Sequence, residues 1–320
     1  MSDSEATPTH GRTRVSGRNV RPVRSPCAAE RSWSRMVGGV PHRWEEHGTM
    51  GQPVVLVHGL PTNPRVWRYV LPRISTGRLF AWEMVGFGRS IPAGAGRDLS
   101  VAAQAEYLYA WMRAMRLDRA VLVGHDMGGG VVQRLVKAHP EMCAGVVLVD
   151  TVAFDNWPIP TVRVARALRW LLPHLPNTGV RAIFDMALNA LGHDDPHVAA
   201  ESRRLFWAPY ASFGAGAGLA RQLASLDNAQ TRDVSPAMHS LGVPSRVVWG
   251  ARDPLGMDSG ERLARVLEAP LDVLPAACHF TPEDHPEVVA SAITAVLHAA
   301  SPHELLTALP SLDQRPSDPR

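Results

Sequence analysis

The chain is poor in cysteine and tyrosine and has no apolar run long enough to cross a bilayer. Three cysteines in 320 residues, Cys27, Cys143 and Cys278, are odd in number and scattered, which excludes a disulfide framework as the basis of the fold. No apolar stretch approaches ~18 residues, so no segment reads as a spanning helix. Excess positive charge is also confined. The net charge is +3, yet residues 1–35 carry seven arginines against three acids, so the remainder is close to neutral. That excludes a basic nucleic-acid-binding domain. What remains is a chain with 45% hydrophobic and 20% charged residues, able to bury a large core. The expectation is a cytoplasmic protein with no nucleic-acid partner, no membrane partner and an undefined oligomeric state.

Residues 1–34 are rich in Ser, Thr, Pro, Gly and Arg and lack an aliphatic run. They read as a disordered basic tail. Without an apolar h-region they are not a secretory signal, although a basic, Ser-rich start also fits an organelle transit peptide. Residues 301–320, with Pro302, Pro310, Pro316 and Pro319, read as a second tail.

Between the tails, apolar strands are expected near 53–57, 79–83, 120–124, 145–150, 245–249 and 271–274, with an antiparallel pair before them. Helical stretches such as 99–116 and 128–139 separate the strands, the pattern of a mostly parallel, doubly wound α/β sheet. The interval 154–239 breaks the alternation. It has helical segments at 161–173, 179–191, 196–206 and 217–226 and no strand.

Gly124-His125-Asp126-Met127-Gly128 has the shape of a nucleophile elbow, with aspartate at the centre where serine usually sits. Ala120-Val121-Leu122-Val123 precedes it as a buried-type strand, and a helical stretch follows Gly130. Strand, tight turn and helix is the context that motif requires. A carboxylate attacking an acyl carbon would make only a labile anhydride. It suits displacement at a saturated carbon, leaving an alkyl ester on the enzyme. The bland alternative is an Asp that merely caps the helix.

Other segments sit at strand ends in a matching order. Val54-Val55-Leu56-Val57 runs into His58-Gly59-Leu60-Pro61, where the backbone N–H of Leu60 could join that of Met127 in an oxyanion hole. The strand ending at Gly250 leads to Asp253, and the next leads to Cys278-His279-Phe280. Nucleophile, acid, histidine is the α/β-hydrolase order. Asp150, at the end of another strand, is an alternative acid. Cys278 beside His279 reads as a space-filling residue, with a thiol nucleophile as its sharper alternative. His58 and His125 read as loop-organising residues. Nothing points to a metal or a cofactor.

On these motifs, with Gly86-Phe87-Gly88-Arg89-Ser90 and Phe280-Thr281-Pro282-Glu283-Asp284-His285-Pro286, the chain resembles the α/β-hydrolase superfamily. The closer resemblance is to its aspartate-nucleophile branch of haloalkane dehalogenases, haloacetate dehalogenases and epoxide hydrolases. The resemblance implies an α/β-hydrolase fold with a core at 35–153 and 240–300 and an inserted helical cap at 154–239. It implies Asp126, His279 and Asp253 as the catalytic set, with Trp207, Tyr210 and Trp157 as cap residues facing the substrate. The substrate would be a hydrophobic small molecule, hydrolysed by water through an aspartyl alkyl ester.

Departures from the branch bear on the leaving group. Haloalkane dehalogenases typically grip halide with a Trp after the nucleophile and with a cap Trp or an Asn in the oxyanion loop. Here those places hold Met127 and Leu60, which carry no side-chain N–H. Haloacetate dehalogenases place Arg after the nucleophile, also absent. Epoxide hydrolases use two cap tyrosines, and Tyr210 is the only tyrosine in 154–239. Dehalogenase-like chemistry therefore leads, with epoxide opening second. A non-catalytic binding protein on the same scaffold is the alternative of another class. An ester hydrolase is disfavoured by the missing serine.

Overall fold

The computed structural model describes residues 31–239 and 241–301. Eight strands form one sheet: β1 (Arg31–Val37), β2 (Val40–His47), β3 (Pro53–Val57), β4 (Arg78–Glu83), β5 (Ala120–Asp126), β6 (Cys143–Thr151), β7 (Ser245–Gly250) and β8 (Leu271–Leu274). The sheet order is β1-β2-β4-β3-β5-β6-β7-β8. The first two pairings are antiparallel and the rest parallel. Every residue of β5 and β6 is buried, because helices cover both faces of the sheet, as parallel strands require. This is the doubly wound α/β sheet of the sequence expectation, with an antiparallel hairpin at one edge. The basic tail, expected to run to residue 34, lies outside the described residues up to 30. From Arg31 the chain is already in β1, paired along its length with β2.

Ten α-helices occur among the described residues: α1 (Val101–Ala114), α2 (Met127–Ala138), α3 (Pro160–Ala167), α4 (Asn177–Leu191), α5 (Pro196–Phe213), α6 (Ala215–Ala224), α7 (Ala229–Arg232), α8 (Met257–Leu267), α9 (Thr281–Asp284) and α10 (Pro286–Ala300). From α3 to α7 the chain makes helices and no strand. The helix expected over 161–173 is shorter: α3 stops at Ala167 and a 3-10 stretch, Arg169–His174, carries Pro173. Conversely, α5 continues past the expected end at 206 and through Pro209. A proline there removes the N–H that would serve the carbonyl of Leu205. The side-chain amide of Asn63 donates to that carbonyl instead, at 3.4 Å.

The sheet order places the site. The chain leaves β3 for β4 on one side, then crosses to β5 on the other. A crevice opens where the order reverses, beyond the carboxyl ends of the strands. The loop after β3 and the last residue of β5 both meet there.

Candidate active site

Asp126 ends β5 and immediately precedes α2, with φ 50° and ψ −125°. Non-glycine residues rarely adopt positive φ, and such conformations persist where surrounding structure over-determines them. Here the neighbours leave no slack: a Cβ on Gly128 would fall 2.2 Å from the carbonyl oxygen of Val57. The Asp126 side chain makes no capping bond beyond the first residue of the helix it precedes. Its Oδ2 instead accepts the backbone N–H of Leu60 at 2.8 Å, and the backbone N–H of Met127 also reaches the carboxylate. Burial pushes this carboxyl up, while His279 and the two N–H groups pull it down.

His279 lies beyond β8 and is fully buried. Its Nδ1 bonds Oδ2 of Asp253 at 2.9 Å. A carboxylate can only accept, so Nδ1 carries the proton. Nε2 stands 3.8 Å from Oδ1 of Asp126 and has no hydrogen-bond partner among the described residues. Burial alone would lower the imidazole. The Asp253 carboxylate outweighs it, aided by Asp126 and Asp150, and the result is a pKa of about 9. The three sequence-designated residues thus form one line: Asp253, His279, Asp126.

Asp150, the alternative acid, does not bond His279. Its Oδ1 accepts the backbone N–H of Gly250 at 2.7 Å. Burial, then the neighbouring Asp253 charge, raise its pKa well above its ordinary value. His58 accepts the N–H of Met84 at Nε2 (3.1 Å) and faces the Gly59 carbonyl through Nδ1 (3.0 Å). That fixes a neutral tautomer joining the ends of β3 and β4, and burial lowers its pKa to about 4. Cys278 is set in the loop before His279. Burial raises its thiol, as does the Asp194 side chain, the opposite of an activated thiolate.

The cleft over Asp126 spans about 400 Å³ of empty space, open solvent included. Leu60, Met127, Val152, Trp157, Leu191 and Leu255 are among its walls. Of the three aromatic residues expected there, only Trp157 lines it. Its indole N–H is already donated to Thr231 Oγ1 at 2.7 Å. Trp207 and Tyr210 are corrections. They stack on one another and against Phe184, with ring centroids 5.3–6.1 Å apart, and do not line the cleft. Tyr210 is fully buried and gives its hydroxyl proton to Gln222 at 2.5 Å. Gln222 in turn donates to the Gly86 carbonyl at 2.8 Å. These rings pack the helices together instead of facing a ligand.

A polar lock beside His279 escaped sequence reasoning. Arg68, after β3, forms a buried ion pair with Glu283, whose oxygens also accept from Ser202 at 2.9 Å. His193 bonds Glu283 at 2.8 Å and stacks on Phe280 at 4.1 Å. Asp194 accepts the N–H of Cys278 at 3.1 Å. The loop between α4 and α5 is thereby fixed to the histidine loop. The only sequence trace was Glu283 within the matching Phe280–Pro286 segment; its partners lie up to 215 positions away in the chain.

Residues 52–286 match the family model described as alpha/beta hydrolase fold. The chain belongs to that family. Among curated relatives, a haloalkane dehalogenase of Mycolicibacterium smegmatis is 35% identical over 127 residues, 37% of this chain and 41% of that protein. The chain thus spans under half the length of that relative. A haloalkane dehalogenase of Sphingobium indicum is 26% identical over 282 residues, covering 80% of this chain and 92% of that one. Among solved structures, an alpha/beta hydrolase fold protein from Burkholderia ambifaria superposes with a TM-score of 0.73 at 24% identity, over 83% of this chain and all of that one. The relatives support an enzyme of the α/β-hydrolase class.

Proposed function

We propose that the protein is a hydrolase that cleaves a carbon–halogen bond of a hydrophobic small molecule through an ester on Asp126. The observation that carries this reading is the Asp126 carboxylate, strained into the crevice and bonded through Oδ2 to Leu60 N–H, with His279 Nε2 unpartnered 3.8 Å from Oδ1. Two relatives named haloalkane dehalogenase support it.

Oδ1, the oxygen not bonded to Leu60, attacks the carbon. The carbon–halogen bond breaks, and its electron pair leaves with the halide. Alkylation removes the negative charge of Asp126. His279 then loses one of the carboxylates that raise its pKa, so its neutral form becomes accessible. It takes a proton from water, and the hydroxide attacks Cγ of Asp126. The N–H groups of Leu60 and Met127 hold the oxyanion. Collapse expels the alkoxide, which recovers the proton from His279; the regenerated Asp126 carboxyl then releases the second water proton to solvent, leaving alcohol and carboxylate. Asp253 keeps the imidazole oriented and offsets its charge throughout.

Trp157 is the one side-chain N–H donor on the cleft wall, and it serves Thr231. A halide would be poorly solvated until that indole turns to it, which favours slow release and bulky, polarisable leaving groups. Epoxide opening assisted by Tyr210 lacks a donor at the site, since that hydroxyl is committed to Gln222. The test is a panel of bromoalkanes, iodoalkanes, epoxides and esters. The account expects halide and alcohol from wild type, none from Asp126→Ala, and unchanged rates from Tyr210→Phe. Diol from epoxides, abolished by Tyr210→Phe, would replace it. Saturable binding without product would make the protein a binder.

A further inference from the structure

The outer face of α3 and the 3-10 stretch after it, together with Met186 of α4, carries apolar residues that packing would normally bury. Trp170 is 64% exposed, Val164 61% and Met186 59%, with Leu168, Leu171 and Leu175 also exposed. In α3 itself no residue is buried. Val162 and Ala165, three apart on one face, line a second cavity. Val164 and Leu168, four apart, lie on the other face. Large exposed apolar patches mark interaction sites.

The charge of this face identifies its partner. Between Asp155 and Asp185 the chain has four arginines and no acid. Arg181 is neutralised by Asp185 at 2.8 Å. Arg163 and Arg169 reach only the carbonyls of Pro158 and Arg166. Arginines interleaved with exposed Trp, Leu and Val on a short helical segment is the pattern of an interfacial element lying in the headgroup plane. A two-fold contact with a second copy would set this all-cationic face against itself. An anionic lipid surface complements it.

We infer that this face docks the protein on an anionic bilayer, with Trp170 and its aliphatic neighbours at the headgroup boundary and Arg163, Arg166 and Arg169 on lipid phosphates. The second cavity has its exposed rim at Thr161 and Met186, beside that face. It shares the walls Leu60, Val162 and Leu191 with the cleft over Asp126. A lipophilic compound dissolved in the bilayer would enter there, a consequence that rests on the hydrolase reading, whereas docking does not. The expected absence of a membrane partner followed from the lack of a spanning run, which a surface-lying face does not need. Among the described residues no helix is long and apolar enough to cross a membrane.

Sedimentation of the full chain with phosphatidylcholine vesicles, with and without an equal share of phosphatidylglycerol, tests this. Binding is expected only to the anionic vesicles. Trp170→Asp should weaken it at least tenfold, and Arg163→Gln/Arg166→Gln/Arg169→Gln on the order of 10²-fold. Thermal unfolding of each variant should match wild type. Overturning results are no binding by wild type, equal binding to neutral vesicles, or variants that bind like wild type, which would move the contact elsewhere. Sedimentation velocity without lipid gives a further one: a dimer that Trp170→Asp dissociates would make the face a self-interface.

Discussion

His125 donates its Nε2–H to the backbone carbonyl of His279 at 3.0 Å. The carbonyl can only accept, so the His125 tautomer follows from the bond. Burial, and then the His279 charge, lower the His125 pKa well below its ordinary value, so the ring stays neutral. The residue immediately before the proposed nucleophile in the chain therefore fixes the loop that carries the proposed base. Elbow and histidine loop are held in register by one buried bond, which helps keep Nε2 of His279 aimed at Asp126.

Asp253 and Asp150 flank the same histidine, but only Asp253 bonds it. Asp253→Asn should favour the wrong imidazole tautomer and leave the imidazolium unsupported, lowering kcat on the order of 10⁴-fold, as such a change does in a serine-protease triad. Asp150→Asn retains an acceptor for the Gly250 N–H and leaves the Asp253–His279 bond in place. It should change kcat by no more than about threefold. Steady-state kinetics of the two variants decide the assignment, and the reverse ranking would move the acid to β6.

Gly59 sits against Asp126. A Cβ there would lie 2.3 Å from Oδ2 of Asp126, so Gly59→Ala must displace the carboxylate from Leu60 N–H. A displacement near 1 Å costs about 10²-fold in rate. The expectation is a loss of at least that size in kcat together with a lowered unfolding temperature, because the same Cβ would lie 2.4 Å from Cβ of Asp126. Retained activity would mean that the observed carboxylate position is not the reactive one.

The pKa of His279, raised to about 9, has a stability consequence. Its folded-state value lies above the ordinary 6.5, so its contribution is complete below pH 6.5 and disappears as pH rises through 9. The full shift corresponds to roughly 3 kcal/mol. Asp126→Asn removes one of the charges that raise it, so the variant should titrate lower and lose less stability over that range. Histidine NMR titration beside urea unfolding at pH 6.5 and 9 measures both. An unchanged His279 pKa in the variant would show that the two side chains are not electrostatically coupled.

Much of this molecule is legible in its sequence because apolar runs such as Val54–Val57 and Val146–Val149 can be buried on both faces only as central parallel strands. Each run ends next to a residue of chemical interest, so Leu60, Asp126, Asp253 and His279 fall at the crevice as soon as the strands are placed. The cleft walls were harder. Ile159, Val162, Leu191 and Leu226 are ordinary apolar residues, and nothing in their spacing separates a cavity wall from a helix–helix contact. Trp207 and Tyr210 illustrate the converse: aromatic residues that look like ligand contacts serve as packing once α4, α5 and α6 come together. The lock of Arg68, His193, Ser202 and Glu283 joins three distant segments, which only tertiary structure can do.

The central claim is covalent, and intact-mass spectrometry of His279→Gln tests it most directly. After incubation with 1-bromohexane, the variant should release bromide once per molecule and gain the mass of one hexyl group. Peptide mapping should place that group on Asp126, because the first step does not use the histidine and the second requires it. No adduct despite bromide release from wild type, or an adduct on another residue, would contradict the account.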